Sequence, residues 1–334
     1  MRAPRIVTYC DFRYVAKASA MLASLRRWAP TSRLTVLALD DLTARILAWR
    51  FGSHVEVLRE EALAAAEPRL AKARETRTRW EFYATQKPVL LREMLRRERR
   101  QRMLAYIDAD TFFFSRPDAL FAEMEGRSIG LSAHRFHEGA AHLAIYGPFN
   151  AGFCLWRNDP NGRACLADWS EDCLAWCQCE ADERGRFMNQ GYLAEWPARY
   201  TGVVVLAHPG ANLAPWNLSS HTVEPGPRGT MRVDGRPLVF FHFSSMRRGI
   251  DGTWETYALA PELSRADVAE GIFRPYLAAL ETESRRIYAR WGVTGLDSQS
   301  REGPSTDWTV LGTMRKKRWG RWSLERPRLS AEGG

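Results

Sequence analysis

The chain has 334 residues, of which 45% are hydrophobic and 26% charged, with a formal net charge of +9. That is a normal globular balance, enough for one large domain with additions or for two small ones. No apolar run approaches the ~18–20 residues of a membrane-spanning helix, and the basic excess suits anionic partners such as nucleotide phosphates, anionic lipid or nucleic acid.

The N-terminal residues Met1-Arg2-Ala3-Pro4-Arg5 run straight into strand-like Ile6-Val7-Thr8-Tyr9, with no signal-peptide core, so a cytoplasmic address is expected. Strand signals at 5–10, 33–39, 54–58 and 102–108 alternate with helical patterns at 15–28, 41–50 and around 81–99. This order predicts an α/β fold with a mostly parallel sheet covered by helices. Ligands bind such sheets at the carboxyl ends of strands. Tyr9-Cys10-Asp11 and Asp108-Ala109-Asp110 both fall at such ends and are expected on one rim. Asp108 and Asp110 close the apolar run 103–107, and on an extended backbone alternate side chains share a face. They could converge on a hard cation such as Mg²⁺ or Mn²⁺.

Further along, 128–134 and 151–157 read as strands, and 159–179 as a helix entered through Asn158-Asp159-Pro160. Cys165, Cys173 and Cys177 then share a helix face. With Cys179 they fit no metal-binding spacing and are read as core residues. A short helix is expected at 186–196 and a brief strand at 203–207, followed by a Pro-, Gly- and Asn-rich loop at 208–217. Residues 231–243 read as a hairpin around Asp234-Gly235. His242 lies in the apolar run 239–243, where it is either a third metal ligand or a buried histidine bonded to a backbone carbonyl. Residues 261–291 are helical. From about 294 the chain is Gly-, Ser- and Arg-rich and is expected to be loosely ordered. Within it Trp308, Trp319 and Trp322 surround Arg315-Lys316-Lys317-Arg318, a mixture suited either to peripheral contact with an anionic membrane or to simple packing. The expected organisation is a domain over 1–255, a helical extension over 256–293 and a basic tail over 294–334.

Several segments together resemble glycosyltransferases of the GT-A type, in particular bacterial enzymes of the galactosyltransferase/glycogenin-like group. They are Tyr9-Cys10-Asp11-Phe12-Arg13-Tyr14, Glu81-Phe82-Tyr83-Ala84-Thr85-Gln86-Lys87-Pro88, Tyr106-Ile107-Asp108-Ala109-Asp110, His134-Arg135, Asn150-Ala151-Gly152-Phe153, Asn189-Gln190, Asn212-Leu213-Ala214-Pro215-Trp216-Asn217 and His242-Phe243. Any one of these is weak; the ordered set, over residues 6–245, is fairly specific. The resemblance implies a GT-A, Rossmann-like mixed sheet. It also implies transfer of a sugar from a nucleoside-diphosphate-sugar, a UDP-sugar foremost, to a glycan, lipid-linked or other hydroxyl acceptor, with Mn²⁺ or Mg²⁺ as cofactor.

The same resemblance suggests roles. Asp108 and Asp110 would hold the metal and diphosphate, with His242 as the third ligand. Tyr9, Cys10, Asp11 and Tyr14 would lie against base and ribose. Ala109, Asn150, Ala151 and Gly152 would border the donor. Lys87, or Arg77 or Arg79 in its place, would face the diphosphate. Asn189 and Gln190 would sit by the reacting carbon. His134, Asn212, Trp216 and Asn217 suit hydroxyl-rich ligands and are expected on the acceptor or sugar side. One position departs from the pattern: relatives carry aspartate where this chain has Asn189, and an amide is no general base. An inverting enzyme would then need Asp11, Asp182 or Glu195 as base; the resemblance favours retention. The competing readings are a nucleotidyltransferase, a catalytically degenerate nucleotide-sugar binder and a basic nucleic-acid-binding protein. Tyr9–Val15 has no glycine for the first of these, and no nucleic-acid motif is present for the last.

Overall fold

Arg5–Cys10 (β1) is buried along almost its whole length, as a parallel strand between two helical layers must be. It leads into α1 (Val15–Trp28), whose residues Val15 to Leu22 are all buried and whose last turn carries Arg26 and Arg27 against the helix dipole. β2 (Arg33–Ala38) follows, then α2 (Asp41–Phe51), where Asp40 accepts a capping hydrogen bond from the Thr43 amide at 2.7 Å. After β3 (Val55–Arg59) come two short helices, α3 (Glu60–Ala66) and α4 (Arg69–Thr76). Neither shows in the sequence pattern, because each buries only two residues. The long α5 (Arg79–Arg97) then packs on α7, defined below, and delivers the chain to β4 (Met103–Ile107).

The structure is a computed structural model describing residues 4–97, 102–248, 254–257, 260–294, 296, 311–316 and 322–325. Beyond β4 lie β5 (Thr111–Phe113), α6 (Asp118–Ala122), β6 (Ile129–Ala133), β7 (Phe149–Arg157), α7 (Pro160–Ala175), α8 (Trp196–Arg199) and β8 (Val203–Val205). The central sheet has the order β3-β2-β1-β4-β7-β6-β8. β7 runs antiparallel to both its neighbours, and the remaining pairs are parallel. This is the mixed, mostly parallel sheet that the sequence predicts.

Three elements differ from expectation. Helix α7 stops at Ala175 rather than 179, because Cys179 N turns away to the Glu81 carboxylate and Gln178 O accepts from Met188 N. Cys165 and Cys173 therefore lie on the helix and Cys177 beyond it, although all three are buried and free. The helix expected at 186–196 is a 3₁₀ turn, Gly191–Glu195, running into α8. The hairpin is shorter than expected. β9 (Val223–Pro225), β10 (Met231–Val233) and β11 (Arg236–Pro237) form a small sheet, with Asp234 and Gly235 both at positive φ as a two-residue turn requires. Pro237 has no N–H to continue that ladder, and β12 (Phe240–His242) leaves to pair antiparallel with β5.

The C-terminal region packs into the main core. β13 (Arg247–Arg248) and β14 (Trp254–Tyr257) join β15 (Leu311–Lys316) and β16 (Trp322–Glu325) in a four-stranded antiparallel sheet, so the tail supplies two strands. Trp308, Lys317, Arg318 and Trp319 lie outside the described residues. α9 (Ala266–Val268) and a π-turn lead into α10 (Arg274–Trp291), which packs on α1 and puts Tyr276 face to face with Phe243, ring centroids 3.8 Å apart. Among the described residues, no helix is long and apolar enough to cross a membrane.

α10 is tied to α2 by a forked ion pair from Arg50 to buried Glu283, at 2.6 and 2.7 Å. Removing one partner of a buried pair strands the other. Glu283→Ala is expected to lower the unfolding free energy by roughly 3 kcal/mol, read from denaturant midpoints at constant m-value.

Candidate functional site

Beyond Ile107 the backbone turns instead of staying extended, and Asp108-Ala109-Asp110 forms the link between β4 and β5. The turn is pinned on both sides: Asp108 N donates to Gly152 O of β7, and Phe243 N, just past β12, donates to Asp110 O, both at 2.8 Å. The two carboxylates converge because a turn held between β7 and β12 aims them together, not because of a strand pleat. The β5–β12 register pairs Thr111 with His242, which brings the histidine to the same point. His242 Nε2 lies 3.2 Å from Asp110 Oδ1 and 3.8 Å from Asp108 Oδ2. One ligand atom from each of the three residues lies within 4.8 Å of the others. Two carboxylates and an imidazole in so small a space suit a divalent cation, Mn²⁺ or Mg²⁺, with room left for substrate oxygens.

Charges in this cluster are balanced by their neighbours. Burial alone would push the Asp110 carboxyl up, but His242 outweighs it and holds the carboxyl below the usual range. Burial would lower His242, and Asp110 reverses the sign. Lys87 reaches over from α5 to Asp108 Oδ1 and Ala151 O, each at 3.2 Å, with its ammonium 4.2 Å from the Tyr106 ring centroid. Tyr106 donates to Asp108 Oδ1 at 2.6 Å. Burial, with Asp108 adding to it, raises the phenol well above its ordinary value and keeps that proton in place. Gly152 allows the cluster to close, since a Cβ there would stand 2.7 Å from both Asp108 Oδ2 and His242 Cε1.

Asp108 and Asp110 floor a cavity of 250 Å³, with His242 buried behind them. Tyr9, Cys10, Asp11, Tyr14, Lys87, Ala109, Ala151, Gly152, Asn189 and Gln190 all line it. Asn150 does not, but it supports the wall: its Oδ1 accepts from Gly152 N and its Nδ2 donates to Gln190 Oε1. Gln190 Oε1 also accepts from Ala151 N at 2.9 Å, and its Nε2 donates to Tyr146 O. Lys87 is the cation at this wall, for Arg77 is committed to the carbonyls of Cys173 and Leu174 and Arg79 does not line the cavity. Trp80 and Tyr83 are lining residues that sequence reading missed. A signal was present: positions 80, 83 and 87 are spaced to share one face of α5.

His134, Asn212, Trp216 and Asn217 stand elsewhere than expected. All four are buried and none lines the cavity. They back His242 instead. Its Nδ1 faces Asn212 Oδ1 at 3.4 Å, and Trp216 meets the imidazole edge to face at 5.2 Å. Asn217 Nδ2 donates to the carbonyls of Asn212 and His134. An acceptor at Nδ1 keeps the proton on that nitrogen and directs Nε2 to the carboxylates. The Asn-rich loop thus reads as support for a ligand rather than as a sugar platform.

No family model matches the chain. It is 32% identical over 235 residues to the uncharacterized protein YfnD of Bacillus subtilis (strain 168), covering 69% of this chain and 74% of that one. To YfnF of the same organism it is 31% identical over 239 residues, covering 69% and 78%. Among solved structures, the WbbM bifunctional glycosyltransferase in its apo form superposes with a TM-score of 0.52 at 12% identity, over 87% of this chain and 52% of that one. That likeness speaks for the fold, which is of the GT-A type.

Two outcomes follow from the site. Gly152→Ala is expected to weaken Mn²⁺ binding by calorimetry ~10-fold or more while the protein stays folded, since misplaced ligands cost affinity on that scale. His134 is neutral: its Nδ1 donates to Gly147 O, its Nε2 accepts from Asn150 Nδ2, and burial lowers it to about 4. Its folded value lies below its unfolded one, so its contribution is complete above ~6.5 and is lost as pH falls towards about 4, by ~1.4 kcal/mol per pH unit. The stability gap between the native protein and His134→Gln should shrink over that window in denaturation series.

Proposed function

The chain belongs to the family of the Bacillus subtilis proteins YfnD and YfnF, and we propose that it is a metal-dependent glycosyltransferase using a nucleoside-diphosphate-sugar donor. The observation that carries this reading is the convergence of Asp108, Asp110 and His242 beside Lys87, with both aspartates and the lysine lining an aromatic-walled cavity. A cation bound by those three residues would act as a Lewis acid on the diphosphate as negative charge grows on the leaving group.

The chain's own residues supply the rest. Tyr9, Tyr83 and Trp80 give flat apolar surface at the α5 end of the cavity, suited to a nucleobase and its ribose. A UDP-sugar is the donor we propose. The Asp11 carboxyl is raised by burial, and its Oδ1 accepts from the amides of Arg13 and Tyr14, which shapes the wall at the end of β1. Lys87 places a positive charge where the diphosphate would lie. Gln190, with both ends of its amide engaged, fixes Ala151 and hence the wall next to the reacting carbon.

Stereochemistry follows from which carboxylates are available. Asp11, Asp108 and Asp110 are the carboxylates lining the cavity. Asp108 and Asp110 belong to the cation cluster, and Asp11 is spent on backbone amides. Asp182 is bound to Arg186 and Glu195 is exposed, and neither lines the cavity. Among the described residues, the one cavity-lining carboxylate outside the cation cluster is Asp11, whose Oδ1 is held by backbone amides. The arrangement favours retention, with the leaving phosphate taking the acceptor's proton. The acceptor is a carbohydrate or lipid-linked hydroxyl compound entering from the open side of the cavity.

Calorimetry with UDP in the presence of Mn²⁺ tests this. Binding should require the metal, and Asp110→Ala should lower affinity at least ~100-fold, the loss of about 2.7 kcal/mol. Equal UDP affinity with and without metal, or in the variant, contradicts the reading.

A further inference from the structure

Asn189 occupies the position where the resemblance calls for an aspartate, and the reason lies across the cavity in α5. Pro88 is inside that helix. It has no N–H, so it cannot give the i→i−4 hydrogen bond that the carbonyl of Ala84 would receive from any other residue. Ala84 is buried, and a buried carbonyl left unpaired is costly. A donor arrives from elsewhere in the chain: Asn189 Nδ2 gives a hydrogen bond to Ala84 O at 2.8 Å.

Everything around Asn189 holds that amide in place. Trp169 Nε1 donates to Asn189 O at 2.8 Å, and Met188 sits at φ 45, a left-handed conformation that a non-glycine residue adopts only when held there. The residues adjoining Pro88 and Asn189 meet at one point on the cavity wall. Lys87 grips the carbonyl of Ala151 at 3.2 Å, and Gln190 accepts from the amide of Ala151 at 2.9 Å. The Asn189–Ala84 hydrogen bond therefore fixes the distance between two segments that hold the same residue from opposite sides. A carboxylate at 189 has no hydrogen to give at neutral pH and would set a negative charge against the Ala84 carbonyl.

We infer that Asn189 is a positioning residue that completes α5 at Pro88, and that its amide stands in place of a carboxylate because Ala84 needs a donor. Its link to donor binding rests on the glycosyltransferase reading above; its link to Pro88 does not. The two residues should be coupled, because alanine at 88 restores an N–H to the helix and removes the need for the side-chain donor.

A double-mutant cycle over Pro88→Ala and Asn189→Ala tests this, with Asn189→Asp as a further variant. Two quantities are read: UDP affinity with Mn²⁺, and the denaturation midpoint. Asn189→Ala is expected to weaken UDP binding ~10-fold and lower the midpoint, and Asn189→Asp to do more, by loss of a buried hydrogen bond. In the Pro88→Ala background the effect of Asn189→Ala should shrink to ~3-fold or less on affinity and largely vanish from the midpoint, as the helix amide takes over. Additive effects in both readouts overturn the inference, and so does an Asn189→Ala protein indistinguishable from native. Recovery of the midpoint without recovery of affinity would make Asn189 a direct donor contact and overturn the positioning role. If the native protein binds no UDP with Mn²⁺, the glycosyltransferase reading fails. The midpoints of the four proteins then still decide the coupling.

Discussion

The site depends on a short turn trapped between two strands. Asp108 N on Gly152 O and Phe243 N on Asp110 O hold the β4–β5 link at both ends. Side chains that would otherwise repel are thereby forced into one small space. Two carboxylates so close cannot both stay ionised without compensation. His242, Lys87 and the Tyr106 hydroxyl provide it here. A divalent cation would do so more completely. The same constraint explains why Gly152 carries no side chain and why His242 is oriented from behind by an amide oxygen.

Backbone strain gathers around this turn. Arg135, Met188, Asn212 and Ser245 are non-glycine residues at positive φ, and each adjoins a segment that contacts the site or its support. Asparagine tolerates that conformation better than most residues, which suits Asn212, whose side chain must also meet His242. Met188 has no such excuse and is held by its neighbours: its N–H is taken by Gln178 O, and the next residue is fixed by Trp169 and Ala84. Residues held in costly conformations are the signature of geometry kept for a purpose.

Much of this was legible in the sequence. The alternation of strand and helix led to the sheet, and the carboxyl-end location of Tyr9–Asp11 and Asp108–Asp110 led to one rim, whereas the apolar setting of His242 left it open between ligand and buried histidine and only the family resemblance favoured the ligand. What could not be read was direction. A pattern shows that Asn212, Trp216 and Asn217 are polar or amphipathic residues in a loop. It does not show that the loop folds behind β12 and turns them into the core. Helices α3 and α4 escaped for a related reason, since neither buries enough apolar surface to leave a period. Trp80 and Tyr83 were hidden differently. Their spacing with Lys87 is regular, but aromatic residues on a helix usually signal packing, and only the cavity shows that this face is open.

The C-terminal helix belongs to the same argument. His242 reaches the aspartates through the β5–β12 ladder, which Leu213 bridges on the far side of β12 and which aromatic side chains of the C-terminal region cover. Phe243 stacks on Tyr276 of α10, Phe241 and Phe243 both pack on Phe273, and Phe112 of β5 meets Tyr276 from the other strand. α10 is in turn anchored to α2 through Glu283 and Arg50. A chain of apolar and ionic contacts therefore runs from α2, on the far half of the central sheet, to the strand that carries His242. Residues 256–293 read from sequence as an extension. Within that span Phe273 and Tyr276 pack on Phe241 and Phe243, the two neighbours of His242 in the chain.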